Sequence, residues 1–133
     1  MHLIVCIDSR DGLHFAGRRV SSDRVVTECV LRQASDTVLW IHPGSGSLFS
    51  GENVIADPRY LEKAQAGDCC FLEKDAHLVP SDRLESVTLY QWNRSYPFTE
   101  RFPRELLRGM RLADTREFPG HSHEKITVER YIP

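Results

Sequence analysis

Short runs of consecutive apolar residues, separated by polar turns, dominate the hydrophobic pattern of this chain. The first run, residues 3–7, is too short for a helix and rich in β-branched side chains. It therefore predicts a strand that is buried on both faces. Similar apolar or β-prone runs predict further strands at 37–41, 53–56, 69–72 and 86–92.

Helical spacing of apolar residues appears between residues 22 and 33 and predicts a helix there. We expect Ser21 or Ser22 to cap this helix, with Asp23 in the first turn, where the helix dipole favours a negative charge. Two shorter helices are predicted at 58–65 and 102–110, each with a proline near its start.

The chain ends in two alternating segments, residues 111–118 and 125–132, which predict an antiparallel hairpin closed by the turn 119–124. An alternation of strands and helices followed by a hairpin indicates an α/β protein with a mixed sheet flanked by helices. The sequence shows no internal repeat, low-complexity tract or domain boundary, so we expect one domain over residues 1–133.

Composition and charge narrow the class of protein. The 133 residues are 41% hydrophobic and 27% charged, which is ordinary for a globular protein. The formal charge is −2, which does not favour a nucleic-acid partner. No apolar run approaches the ~20 residues of a membrane span, and the N-terminus lacks a signal-peptide pattern. We expect a cytoplasmic protein without a membrane partner, and the sequence indicates no oligomeric state.

The four cysteines do not follow the spacing of a metal site. Cys6, Cys69 and Cys70 lie in predicted strands, and Cys29 lies on the predicted buried face of the first helix. Because free cysteine is among the most buried residue types, we interpret all four as core thiols.

Candidate chemistry is densest in the loop after the first strand. Asp8, Arg10, Asp11 and His14 crowd this loop, and Asp23 joins them if the helix returns over it. Ligands of open α/β sheets bind at the carboxyl ends of strands, which favours a pocket here for a small heterocycle. The alternative is a solvated turn in which Asp8 only caps the backbone.

A basic cluster of Arg18, Arg19 and Arg24 follows the loop and could bind a phosphate, although a solvated basic surface is an equal alternative. The resulting hypothesis has two groups of residues. Asp23 and His14 are the candidate catalytic residues; Asp8, Arg10, Asp11 and Arg19 are the candidate substrate-binding residues.

The terminal turn contains His121, His123 and Glu124, which could bind a divalent ion or perform acid–base chemistry. No third ligand is evident by spacing, so we favour an exposed polar turn without metal. The turn could instead fold back toward the first loop.

The order of these segments resembles dihydrofolate reductase over most of the chain. The matching segments are residues 3–8 followed by Gly12-Leu13, then 37–41, 69–72, 84–92, Phe102-Pro103, 111–118 and 126–131. The resemblance implies a dihydrofolate-reductase-like fold, and it places the acid that helps to protonate the pterin near Asp23.

The positions that bind the cofactor in that family differ here. The family's Gly-Arg-Lys-Thr corresponds to His42-Pro43-Gly44-Ser45, and its Gly-Gly turn corresponds to Glu73-Lys74. Proline offers neither a charge nor an N–H group, and a side chain at the turn crowds a pyrophosphate. The resemblance therefore implies the fold, whereas these residues predict the loss of standard NADPH-dependent hydride transfer and identify no other cofactor.

The sequence also resembles small proteins of similar length that are often labelled ribonuclease Z. That enzyme needs a His-x-His-x-Asp-His motif, and here only His121-Ser122-His123 matches. Three hypotheses follow: a protein that binds a small heterocyclic or nucleotide-like ligand at the first loop, an active reductase with an altered cofactor site, and a nucleic-acid-processing hydrolase. The altered phosphate positions favour the first hypothesis over the second, and the near-neutral charge and the incomplete metal motif count against the third.

Overall fold

The computed structural model describes all residues from Met1 to Pro133. Its strands are, in chain order, β1 (His2–Ile7), β2 (Gly12–Phe15), β3 (Arg18–Arg19), β4 (Leu39–Ile41), β5 (Val54–Ala56), β6 (Cys69–Leu72), β7 (Ser86–Gln91), β8 (Glu100–Arg101), β9 (Arg111–Phe118) and β10 (Ile126–Ile132). The helices are α1 (Arg24–Gln33) and α2 (Tyr60–Lys63), with 3₁₀ turns at Pro43–Ser45, Ala76–Leu78, Ser81–Arg83 and Arg104–Leu107.

Seven strands form the main sheet in the order β5-β4-β6-β1-β7-β10-β9. The pairs among β5, β4, β6, β1 and β7 are parallel, and β10 runs antiparallel to both β7 and β9. The predicted mixed sheet with a terminal antiparallel hairpin is therefore confirmed. The first strand lies at the centre of the sheet, between β6 and β7.

The core lies on both faces of β1, as the uninterrupted apolar run predicts. Ile4 faces the layer that contains Val26 and Val30 of α1, whereas Leu3 faces the opposite layer with Tyr60 of α2. Because successive side chains of a strand point to opposite faces, a central strand needs apolar residues at every position.

The structure contains a second, three-stranded sheet, β3-β2-β8, that the sequence pattern did not predict. Its strands are only two to four residues long, and β8 lies far from β2 in sequence. Such short strands show no usable alternation. The sheet matters for function because it folds the first loop into a hairpin over the carboxyl end of β1.

Several local predictions need correction. Asp23, not Ser21 or Ser22, is the N-cap of α1, since its carboxylate accepts the Val25 N–H. The helix predicted at 58–65 is confined to Tyr60–Lys63 because Ala64 is extended, and the one at 102–110 is a 3₁₀ turn. Cys29, expected in the core, is partly exposed, whereas burial raises the pKa of Cys69 to about 11 and of Cys70 to about 12.

The helices of this fold are also too short and too polar for a bilayer: none could cross a membrane.

Candidate functional site

A polar cleft of about 370 Å³ opens at the carboxyl ends of β4 and β6, where the β2–β3 hairpin covers the end of the sheet. The hairpin contributes His14, Arg18 and Arg19, and the segments after β4 and β6 contribute His42, Glu73 and Lys74. No apolar side chain lines this space. Its position agrees with the rule that open α/β sheets bind ligands beyond the carboxyl ends of their strands.

An ion pair forms the floor of the cleft. Arg19 Nη1 lies 3.0 Å from Glu73 Oε1, and the second Glu73 oxygen accepts the Ser45 hydroxyl at 2.8 Å. The same guanidinium donates to the carbonyl of Gly44 and to Ser47 Oγ. Arg19 and Glu73 therefore neutralise each other and fix three chain segments in place.

The remaining charge of the cleft is positive. Arg18 and Lys74 take part in none of the ion pairs of the structure. His42 caps the following 3₁₀ turn by accepting the Gly44 N–H at its Nδ1, which leaves Nε2 for a ligand. Two unpaired cationic groups thus face a polar space in a protein whose overall charge is −2.

An apolar crevice lies beside the cleft, between the end of β1 and α1. Val26, Leu48, Phe49 and Phe71 are among its walls, and Arg19 and Glu73 belong to both spaces. Its volume is about 20 Å³, which is room for roughly one water molecule. In this conformation the crevice is too narrow for an aromatic ring.

Asp23 ties the start of α1 to the terminal hairpin. Besides the Val25 N–H, its carboxylate accepts the N–H groups of His121 (3.0 Å) and Ser122 (2.9 Å), the Ser122 hydroxyl and His123 Nδ1 (2.9 Å). Burial alone raises the pKa of Asp23, but these hydrogen bonds outweigh it and hold the pKa well below its ordinary value. A carboxylate has about four lone-pair positions, so these five donors leave none for a ligand N–H group.

His123 continues this network toward the cleft. Its Nδ1 faces Asp23, and its Nε2 lies 3.1 Å from Ser21 Oγ and 2.9 Å from the Tyr96 hydroxyl. The ring stacks on Trp92 at 4.7 Å between centroids and is 4% exposed. The interpretation of this residue as part of an exposed turn is therefore wrong. The turn folds back because its donors satisfy the buried Asp23 carboxylate.

Comparisons with known proteins place this architecture. No family model and no curated protein matches the chain. Among solved structures, dihydrofolate reductase from Enterococcus faecalis complexed with NADP(H) and RAB-propyl is similar, with a TM-score of 0.63 over 98% of this chain and 94% of that one. The chain has a dihydrofolate-reductase-like fold. Only 8% of residues are identical, so the likeness confirms the predicted fold and nothing about chemistry.

Only some of the candidate residues in and after the first loop line the polar cleft of this dihydrofolate-reductase-like fold. Asp8 is buried and accepts the backbone N–H groups of Arg10, Gly12 and Tyr96, so it holds the loop together. Asp11 pairs with Arg104 at 2.8 Å on the surface. Asp8, Arg10 and Asp11 do not line the cleft, whereas His14 and Arg19 do. The contacts of Asp8 agree with the alternative interpretation of this loop as a structural turn.

The three weak candidates for metal ligands differ in their burial. His123 is buried in the Asp23 network, whereas His121 and Glu124 are exposed. The only polar side-chain contact of His121 is with Arg24, at 3.3 Å between Nδ1 and Nη2. No group of three or more His, Cys, Asp or Glu side chains in the structure is arranged to hold a metal ion.

Sequence reasoning did not identify Ser21 or Tyr96 as part of the site, and it named His42 only among the altered positions of the cofactor site. His42 directly follows the predicted strand 37–41, and that position was the available signal, because residues after parallel strands meet at one edge. Ser21 and Tyr96 carry no such signal. They join the site only because the terminal hairpin brings His123 between them.

Proposed function

We propose that this protein binds a small anionic, nucleotide-like ligand in the polar cleft and does not perform standard NADPH-dependent hydride transfer. The observation that carries the proposal is that two cationic side chains without an ion pair, Arg18 and Lys74, line the same cleft as His14 and His42. The similar Enterococcus faecalis enzyme is complexed with a dinucleotide, NADP(H), which supports a nucleotide-like ligand.

The phosphate of such a ligand is the group that the cleft recognises. The guanidinium of Arg18 can donate two parallel hydrogen bonds to phosphate oxygens, and the Lys74 ammonium adds a point charge. The paired Arg19 is held by Glu73 and shapes the cleft instead of contributing net charge. A ring attached to the phosphate lies toward the apolar crevice, which must widen by movement of Leu48 or Phe49 to admit it.

Two groups near the positions where the resemblance places the cofactor phosphates support the loss of hydride transfer. Pro43 has no N–H to donate. The Glu73 carboxylate occupies the space beside Gly44, where a Cβ would meet Oε2 at 3.0 Å. The Glu73 side chain thus fills space that the second phosphate of a dinucleotide would need, which supports binding of a smaller anion.

The test is a binding titration of the purified full chain with adenosine monophosphate, adenosine and inorganic phosphate, followed by calorimetry and by thermal shift. Adenosine monophosphate is expected to raise the melting temperature, because it binds the native state. Adenosine and phosphate, which each lack half of the ligand, are expected to bind more weakly.

The variants Arg18→Ala and Lys74→Ala are each expected to weaken the nucleotide about tenfold or more, the usual effect of removing a hydrogen bond to a charged group. Arg108→Ala, at an exposed arginine without an ion pair, is the control with unchanged affinity. Failure of all three compounds to bind, or unchanged affinity in the Arg18→Ala/Lys74→Ala double variant, contradicts the proposal.

A further inference from the structure

Three side chains form a chain of hydrogen bonds that ends at the ligand-binding surface. Asp23 Oδ2 lies 2.9 Å from His123 Nδ1, and His123 Nε2 lies 3.1 Å from Ser21 Oγ. Since Asp23 can only accept, the neutral imidazole carries its proton on Nδ1 and presents the lone pair of Nε2 to the serine hydroxyl. This is the arrangement of a nucleophile, a base and the group that orients the base.

The burial of the three residues agrees with these roles. The His123 and Asp23 side chains are almost fully buried, at 2% and 0% exposure, whereas Ser21 is partly exposed. Ser21 lies on the wall of both the polar cleft and the apolar crevice. The hydroxyl is therefore the member of the chain that a bound molecule can reach.

The first turn of α1 lies three residues beyond Ser21. Asp23 caps the N–H of Val25, while the N–H groups of Arg24 and Val26 have no backbone acceptor. Free N–H groups at a helix N-terminus stabilise negative charge that develops on an oxygen. Arg24 and Val26 thus offer N–H donors close in sequence to Ser21 that the oxygen of an attacked carbonyl group could use.

We propose that Ser21 is a nucleophile activated by His123, with Asp23 as the positioning residue, and that the protein hydrolyses small carboxylic esters. The preference for an ester that carries an anionic group rests on the proposed cleft function, because the cleft would bind that group. The activation of Ser21 itself does not depend on the cleft.

The reaction is an ordinary acyl transfer to water. Ser21 Oγ forms a bond to the ester carbonyl carbon while its proton moves to His123 Nε2. The bond from that carbon to the alcohol oxygen then breaks, and the alcohol takes the proton from Nε2. A water molecule attacks the acyl-serine with the same base, which releases the carboxylic acid and restores the serine hydroxyl.

Tyr96 provides a specific test of this assignment. Its hydroxyl lies 2.9 Å from the same Nε2 and 3.4 Å from Ser21 Oγ, so two hydroxyl groups compete for one lone pair. Replacing Tyr96 with phenylalanine leaves Nε2 to Ser21 alone. If Ser21 is a nucleophile, Tyr96→Phe makes it more reactive, whereas a purely structural network gives no gain in reactivity.

The experiment measures covalent labelling of the purified chain by diisopropyl fluorophosphate, a neutral reagent for activated serines, with mass spectrometry of the peptide that contains Ser21. Hydrolysis of p-nitrophenyl acetate is measured in parallel. We expect labelling at Ser21, its loss in Ser21→Ala, at least a hundredfold slower labelling in His123→Gln and Asp23→Asn, and faster labelling in Tyr96→Phe. Ser50→Ala, at an exposed serine outside the network, serves as the control.

The outcomes distinguish the proposed nucleophile from the proposed function of the cleft. Absence of labelling at Ser21 in the native protein overturns the nucleophile, as does a Tyr96→Phe variant that is folded and no faster. In Ser21→Ala the Tyr96 hydroxyl remains as a partner of His123 Nε2, so its folding, checked by circular dichroism, is expected to be unchanged. Labelling of Ser21 that adenosine monophosphate does not slow supports the nucleophile and counts against the proposed cleft function.

Discussion

Asp23 and His123 are 100 residues apart in the sequence and are joined by a buried hydrogen bond of 2.9 Å between Oδ2 and Nδ1. This contact fastens the tip of the β9–β10 hairpin to the first turn of α1. It also determines where His123 Nε2 points, because the ring is fixed at one end by Asp23 and on one face by Trp92. The edge of the sheet and the start of the helix thus form one unit.

Replacing Asp23 with alanine is expected to destabilise the protein by about 3 kcal/mol or more. The N-cap accounts for ~1 kcal/mol, and the buried His123 ring and the partly buried donors of the hairpin turn, which lose their acceptor, account for the rest. Urea unfolding gives the free energy of unfolding. Asp36→Ala, at an exposed aspartate, is the control and is expected to lie within ~0.5 kcal/mol of the native protein.

A loss of no more than ~1 kcal/mol is the effect of the N-cap alone. That result would show that the contact between Asp23 and the hairpin contributes nothing to stability.

The free energy of unfolding is also expected to fall at acid pH, because the Asp23 carboxylate becomes protonated. The pKa of this carboxyl is held below its ordinary value in the folded state, so the folded state binds fewer protons than the unfolded chain. The stabilisation is complete above the unfolded pKa of ~3.9 and is lost as the pH falls toward the depressed folded value. Urea unfolding between neutral pH and the acid range measures it.

The Asp23→Asn variant has no titratable carboxyl at this position. The fall in its unfolding free energy below about pH 4 should therefore be smaller than in the native protein. Equal slopes in the two proteins would place the acid sensitivity in other carboxyl groups. One such group is Glu85, whose pKa the N-terminal ammonium and the Gly67 N–H lower to about 2.

Zinc or manganese is expected to leave the melting temperature nearly unchanged. Both ring nitrogens of His123 have partners, and no cluster of three ligating side chains accompanies it. Thermal unfolding with and without added metal measures this. A metal-dependent rise in melting temperature that His123→Ala abolishes would mean that the ring exchanges its partners for an ion. That result would favour the hypothesis of a nucleic-acid-processing hydrolase.

The sequence was most informative where one element determines its own structure. An uninterrupted apolar run such as residues 3–7 requires burial on both faces, and the alternating segments at the end require a hairpin, so the sheet could be predicted. The β2–β3–β8 sheet could not, because two-residue strands depend on partners that only the folded chain supplies.

The candidate site was predictable only in part, for a related reason. The position of the polar cleft follows from strand ends, and two residues that line it, His14 of the first loop and Arg19 of the basic cluster, were among the candidates. The roles of Asp8 and Asp23 depend on what their oxygens contact: Asp8 holds its own loop, and Asp23 holds a turn at the far end of the chain. Residue type and local spacing carry no information about such distant partners.

Dihydrofolate reductase, the enzyme with the similar fold, is named for a reaction that we expect to be absent here. We expect no oxidation of NADPH by dihydrofolate above background, because Pro43 and the buried Glu73 occupy the region where a dinucleotide would need donors. The Asp23 carboxylate also has no free position for a pterin N–H. The loss of the absorbance of the reduced nicotinamide measures the rate. A loss that scales with protein concentration and disappears in Asp23→Asn would instead establish the active reductase with an altered cofactor site.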